Sequence, residues 1–419
     1  MTPPALKALE TRLEHFLCDL TAPLGRRERR HGAQVSVQGW LLDGERNSLE
    51  PMASRLPGAD VQALRPCVGQ RPWAVEAGQR RLAQKVVDLL GDPAVWIIDE
   101  TAVPKAGTHA VGGARHYCGT LGQVANCQVA IRLHGRRADA RCPLTWRRYW
   151  PTEGSEGEPR AAPVKVPPGT LSQGEAPVAW DLSDQVRTWE VPILPVVADA
   201  CCGNECGFRP SLRQRPLPSV VEVESRTGVW TEAPHVPWPP PNKTGRPRQF
   251  PPLEALPRPK SLQTVAQELR PRAGKPGTWR EGSRGPQRSG WSLLQVWASQ
   301  GRREQSHPER VVEWLLVEWP QGVQAPVKDW LAPLAGPLPG LRRVVRLAKA
   351  RRRLEVDDRQ RQEARGLDHA EGRHGLGWPH HACLVSVAEA FWRSEQARIQ
   401  KNSWGDLASR EEAPASPAD

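Results

Sequence analysis

From Leu6 to about Leu90 apolar residues recur every three to four positions, first in ALKALETRLEHFLCDL and again in GQRRLAQKVVDLLG. That spacing gathers them on one face of an α-helix and predicts a helical unit over residues 1–92. From Ala94 the period changes. Short apolar runs rich in β-branched residues, AVWIIDE at 94–100, NCQVAIRLHG at 126–135, PLTWRRYWP at 143–151 and ILPVVADA at 193–200, fit strands of a buried sheet. Between 210 and 340 the strand-like pieces VVEVESRTGVW and VVEWLLVEWP are separated by PHVPWPPPNKTGRPRQFPP. Proline is excluded from helix interiors and inner strands, so this segment is expected to be a β-rich insertion with Pro-rich loops. Helical spacing returns after Gly340 in LRRVVRLAKARRRLEVDDRQRQEARG, with Gly366 as a stop, and again in HHACLVSVAEAFWRSEQARIQ. Residues 403–419, rich in Ala, Pro, Ser and acids, are expected to be a disordered tail.

Two of the apolar runs end in an acid, WIID at Asp99 and PVVAD at Asp199. If both strands lie in one sheet, the two carboxylates emerge at the same edge, where open sheets collect ligand-binding groups. Two strand-end aspartates and one acid on a later helix make a recurrent arrangement for a hard divalent cation, which prefers carboxylate oxygen. The Gly-rich stretch GTHAVGGARHYCGTLGQ lies between the first two strands. It has neither the G-x-x-x-x-G-K-[ST] spacing of a phosphate loop nor a GxGxxG between strand and helix, so a nucleotide cofactor has no support.

Lys and Arg outnumber Asp and Glu by 58 to 46, a formal charge of +12. Such an excess favours polyanionic partners, with nucleic acid first among them. The basic knot GRRERRH at Gly25–His31 fits a DNA contact or a solvated charge run equally well. Nine cysteines at irregular spacings, with no C-x-x-C step among Cys201, Cys202 and Cys206, suit a reducing compartment better than a disulfide framework. No apolar run approaches the ~20 residues that span a bilayer. Glu10, Glu14 and Asp19 stand where a secretory signal would be basic and then apolar, so a cytoplasmic location without membrane contact is expected.

The ordered pieces IIDETAVPKAGTHAVGGARHYCGTLGQVANCQVAI, VVADACCGNECGFR, LLVEWP, LAKARRRLE and GLDHAEGRHGLGWPHHACL carry a resemblance. From about residue 10 to 392 the chain resembles a bacterial insertion-sequence transposase of the DDE class, in the group with a β-rich insertion between its second Asp and its Glu. The resemblance implies an α/β fold: a ribonuclease-H-like mixed-sheet catalytic core (93–209 and 341–402) with an N-terminal helical, DNA-binding domain and the β-rich insertion. It implies metal-dependent strand cleavage and transfer at the ends of a mobile element, with two Mg²⁺ or Mn²⁺ ions. The implied partners are terminal-repeat and target DNA and, in the DNA complex, a second copy of the chain, all in the nucleoid-associated bacterial cytoplasm.

Carried over by position, the two aspartates of the class fall on Asp99 and Asp199. Its last acid lies in a motif of Tyr, two residues, Arg, three residues, Glu, six residues, Lys. Arg351 and Glu355 match that motif, whereas Ala348 and Gln362 stand in place of Tyr and Lys. Asp99, Asp199 and Glu355 are therefore the expected catalytic and metal-binding residues, and Lys105, Arg115 and Arg351 the expected DNA contacts. Arg351, Glu355 and position 362 share one helical stripe. Relatives tend to have Gly and Tyr where this chain has Cys201 and Cys202, and Trp at Arg352. Two other readings stay open: a copy that binds DNA without cutting it, and a ribonuclease-H-like nuclease. Glu100 is expected as the solvent-facing twin of Asp99, Asp357 and Asp358 as solvated charges, and His380 and His381 as polar packing.

Overall fold

The run WIID lies inside β1 (Val95–Pro104), the strand around which the sheet is organised. The computed structural model describes residues 2–42, 49–56, 61–65, 67, 73–90, 95–105, 112–118, 121–137, 140–149, 174–205, 207–215, 217–234, 257–269, 275–282, 285–299, 312–320, 328–333, 340–351 and 377–411. β2 (Gly113–Cys118) and β4 (Ala140–Arg148) both pair with β3 (Gln123–Arg137), each along a different part of its length. β3 runs antiparallel to β1, while β5 (Val196–Ala198) and β6 (Ser219–Val223) continue in parallel on the other side. The order β4-β3-β1-β5-β6, a hairpin followed by two parallel neighbours, is the mixed sheet expected of a ribonuclease-H-like core. β1 is buried on both faces along Val95–Asp99, which is why it reads as a continuous apolar run rather than an alternation.

The sheet does not end at β6, although that strand falls inside the 210–340 segment. β7 (Gly228–Trp230), β8 (Lys260–Ser261), β10 (Gly285–Ala298), β11 (Val312–Pro320) and β12 (Lys328–Ala332) follow in the order β6-β12-β11-β10-β7-β8, and β9 (Lys275–Gly282) pairs with β10. Twelve strands thus form one hydrogen-bonded sheet among the described residues.

Helices α1 (Pro3–Thr21), α2 (Arg27–Leu41), α5 (Val75–Leu90), α6 (Glu175–Arg187) and α11 (Gly377–Glu411) cover one face. Phe16, Leu17, Trp40, Leu82, Val178 and Phe391 share a buried cluster there with Trp96, Ile98, Leu133 and Ala198. The short α3 (Leu49–Ser54) and α4 (Val61–Arg65) pack on α2. α7 (Ala200–Gly203) and α8 (Phe208–Gln214) link β5 to β6, and α9 (Leu262–Leu269) follows β8. The opposite face buries Val95, Ile97, Val197 and Val220 with Val344, Val345 and Leu347 of α10 (Leu341–Ala348) and with Trp291, Trp314 and Trp330. α11 runs on to Glu411, into the segment from 403 that was expected to be disordered. Among the described residues no helix is long and apolar enough to cross a membrane.

Candidate active site

The parallel pairing of β1 with β5 sets Trp96 beside Val196 and Ile97 beside Val197. Two residues further along each strand, Asp99 and Asp199 reach the same face at the same level, because side chains alternate with period two. β5 is short: Pro195 precedes it and α7 begins at once, so Asp199 becomes the N-cap of α7 and accepts the Cys202 backbone N–H at 3.3 Å. α7 sits close on β6. A Cβ on Gly203 would come within 2.0 Å of the Glu222 carbonyl oxygen, so only glycine permits this seat.

One guanidinium nitrogen of Arg351 joins the pair, donating to Asp99 Oδ1 at 2.9 Å and to Asp199 Oδ2 at 3.0 Å. Arg132, the cross-strand neighbour of Asp99 on β3, lies 3.7 Å from its second oxygen. Glu222 of β6 is a third carboxylate at this spot, 4.0 Å from the other Arg351 nitrogen and held by Lys328 at 2.8 Å. Burial pushes the Asp199 carboxyl up to about 6; Arg351 opposes that shift and Asp99 adds to it. The residues fit a hard divalent cation: two carboxylates offer oxygen donors, and a positive group already bridges them.

Of the other expected residues, Lys105 and Arg115 come together on the two sides of Asn126. The Lys105 backbone N–H donates to Asn126 O at 2.8 Å, and Arg115 is its partner on β2. Arg115 is exposed. Both stand well away from Asp99, since the extended chain from 99 to 105 covers roughly 20 Å. Arg351 is placed at the acids themselves. Glu355 lies outside the described residues, as do Asp357, Asp358, Gln362 and Cys206. His380 stacks on Trp73 at 4.4 Å and His381 meets Trp40 edge-on at 5.0 Å, the polar packing expected of them.

Glu100 departs from expectation. It points to the opposite face from Asp99 and is no solvent-facing twin: its side chain is 17% exposed and bonds His116 Nε2 of β2 at 2.8 Å. Glu175, at the start of α6, lies 3.8 Å from the same nitrogen. One ligand atom from each of Glu100, His116 and Glu175 falls within 4.8 Å of the others, a set that could hold a metal ion. The Glu100 bond raises the His116 pKa, and burial followed by the Glu100 charge raises that of Glu175. The Cys201 thiol donates to Glu175. Burial first, then nearby carboxylates, pushes both Cys201 and Cys202 far up, so neither offers a thiolate. This cluster and Glu222 escaped the reading of the sequence. Only strand alternation in VVEVE hinted at Glu222, and nothing in the spacing links residues 100, 116 and 175.

Comparison with known proteins adds three similarities. The family model described as DDE superfamily endonuclease matches residues 18–286. A probable transposase for insertion sequence element IS701 from Microchaete diplosiphon is 31% identical over 117 residues, 27% of this chain. The match spans 30% of that relative's length. A cryo-EM structure of a piggyBac transposase synaptic complex with hairpin DNA aligns at 12% identity and a TM-score of 0.39, covering 93% of this chain and 74% of that one.

Proposed function

We infer, for a chain that belongs to the DDE superfamily endonucleases, that it is a DNA transposase which binds the ends of an insertion sequence and catalyses metal-dependent strand cleavage and transfer. The observation that carries this reading is the convergence of Asp99 and Asp199, from distant parts of the chain, on one cation-bridging position. Asp99 and Asp199, with Glu355 as third ligand, would hold Mg²⁺ or Mn²⁺, two ions in the full site. Bound there, such ions supply Lewis-acid stabilisation of charge on the phosphodiester oxygens.

The chain's own groups do the rest. Asp99 presents its oxygens from within the paired strand β1 and Asp199 from the end of the neighbouring β5, so their spacing is set before any ligand arrives. Arg351 neutralises the pair, and its guanidinium, at the acids themselves, is placed to meet a phosphate oxygen there. Lys105 and Arg115 lie along the same sheet at a distance suited to a flanking stretch of DNA backbone rather than to the scissile phosphate. Joining two element ends calls for two catalytic units, so a homodimer is expected in the DNA complex.

A nicking and strand-transfer assay on element-end DNA with Mn²⁺ tests the reading. The wild type is expected to nick and then join ends to a target. Asp99→Ala, Asp199→Ala and Glu355→Ala are each expected to lose about 100-fold or more while still binding DNA. Equal background from all four proteins, with binding retained, would leave a DNA-binding copy without catalysis. Cutting without joining would favour a ribonuclease-H-like nuclease.

A further inference from the structure

The β9–β12 part of the sheet closes over the end of α10 through one ammonium group. Lys349 caps α10, is 7% exposed, and binds the buried carboxylate of Glu318 on β11. Three tryptophan rings surround the same nitrogen: Trp279 of β9 at 4.4 Å, Trp291 of β10 at 5.1 Å and Trp330 of β12 at 5.3 Å. Each is within the range at which an aromatic quadrupole attracts a cation. Ser289 completes the cage, accepting from Trp279 Nε1 at 3.3 Å and donating to Glu318 Oε1 at 2.8 Å. Every strand from β9 to β12 contributes a group. An ammonium this deep is tolerated only where it is fully paired, so the cage confines the chain at 349.

The next two residues are held elsewhere. The carbonyl of Ala350 accepts from the Arg136 guanidinium of β3, and Arg351 bridges Asp99 and Asp199. Three consecutive residues are thus fixed to three different places. An arginine side chain has enough rotamer freedom to wander from a two-point contact unless its backbone is fixed. The cage supplies that fixing from one side, Arg136 from the other.

We propose that Lys349 is a positioning residue. Lodged in the tryptophan cage, it sets the 349–351 turn so that Arg351 bridges Asp99 and Asp199, which makes the insertion part of the machinery governing cation access to that pair. The proposal rests on the reading of Asp99 and Asp199 as a divalent-metal pair.

Binding of Mn²⁺ alone to the full chain, followed by electron paramagnetic resonance and without DNA, tests it. Lys349→Met is combined with Glu318→Gln, so that neither charge is left buried without its partner, and melting curves check the fold. All proteins carry Glu175→Gln, so that the Glu100–His116–Glu175 set does not contribute to the signal, and in that background Asp99→Asn is expected to lose Mn²⁺ binding. Arg351→Gln is expected to tighten it about fivefold, because the competing guanidinium is gone, and the paired variant to tighten it by a similar factor. Adding the paired change to Arg351→Gln is expected to do nothing more, since Lys349 acts through Arg351. Unchanged Mn²⁺ affinity in the folded paired variant, no change in Arg351→Gln, or fully additive effects would each overturn the proposal. Should the paired variant fail to fold, Trp279→Leu opens the cage with the ion pair kept, and the same direction of shift is required of it. Unchanged Mn²⁺ binding in Asp99→Asn is a separate pattern, which removes the metal reading and the proposal with it.

Discussion

A carboxylate buried beside another carboxylate resists ionisation, and Asp199 is held at about 6 instead of 3.8 for that reason. The folded state then binds a proton more tightly than the unfolded chain does. Stability therefore falls as pH rises from 3.8 to about 6, and the loss stays constant above. In metal-free buffer at neutral pH, Asp199→Asn is expected to be more stable than the wild type by about 3 kcal/mol. Denaturant titrations across pH check this: the advantage should vanish below the open-chain value, and a variant less stable than wild type at neutral pH would contradict it. His116 carries the opposite sign. Its folded pKa is raised, chiefly by the bond to Glu100, so its contribution is complete below 6.5 and lost as pH rises through the folded value. His116→Gln should melt below the wild type at about pH 6 and together with it at about pH 9.

At the scale of elements, the seat of α7 on β6 depends on one missing methyl group. Gly203→Ala puts a Cβ against the Glu222 carbonyl, which must push α7 away and carry the Asp199 cap with it. An expected loss of about 2–3 kcal/mol, read from chemical denaturation, should come with weaker Mn²⁺ binding. β1, β3, β4 and β5 were legible because burial on both faces leaves continuous apolar runs, and an acid ending such a run stands out. β2 was not: GARHYC alternates short and charged residues on a sheet edge, and its Gly-rich flanks read as turn. Half of the candidate site was legible for the same reason. Asp99 and Asp199 each close an apolar run, although only Asp199 ends its strand and β1 continues past Asp99 to Pro104, whereas the Arg351 bridge and the Glu222 neighbour depend on which strands and turns come together in space, which no local period encodes. The 210–340 segment shows the same limit. β6, β7 and β11 lie in the strand-like pieces VVEVESRTGVW and VVEWLLVEWP, whereas β8, β9, β10 and β12 were not legible as strands, and the pairing of β12 onto β6 is a choice between edges that neither strand's own sequence determines.

For the whole molecule, that pairing makes β12 the cover of an edge that the core would otherwise expose. Replacing residues 224–333 by a short linker is expected to give aggregates instead of a folded core, as size-exclusion chromatography would show, because β6 would present unpaired backbone groups. β11 binds the two halves from both faces. Glu313, on the face of α8, accepts from the buried Arg209, which also donates to the Gly203 carbonyl, and Glu318, on the other face, holds Lys349. Asp199 follows α7 and Arg351 follows Lys349, so both sides of the acid pair are referred to one strand. Heat should then find no seam. A chain of 419 residues built from separable units would melt in steps; here the tryptophan fluorescence of the cage and the circular dichroism of the helices are expected to report one transition with a common midpoint.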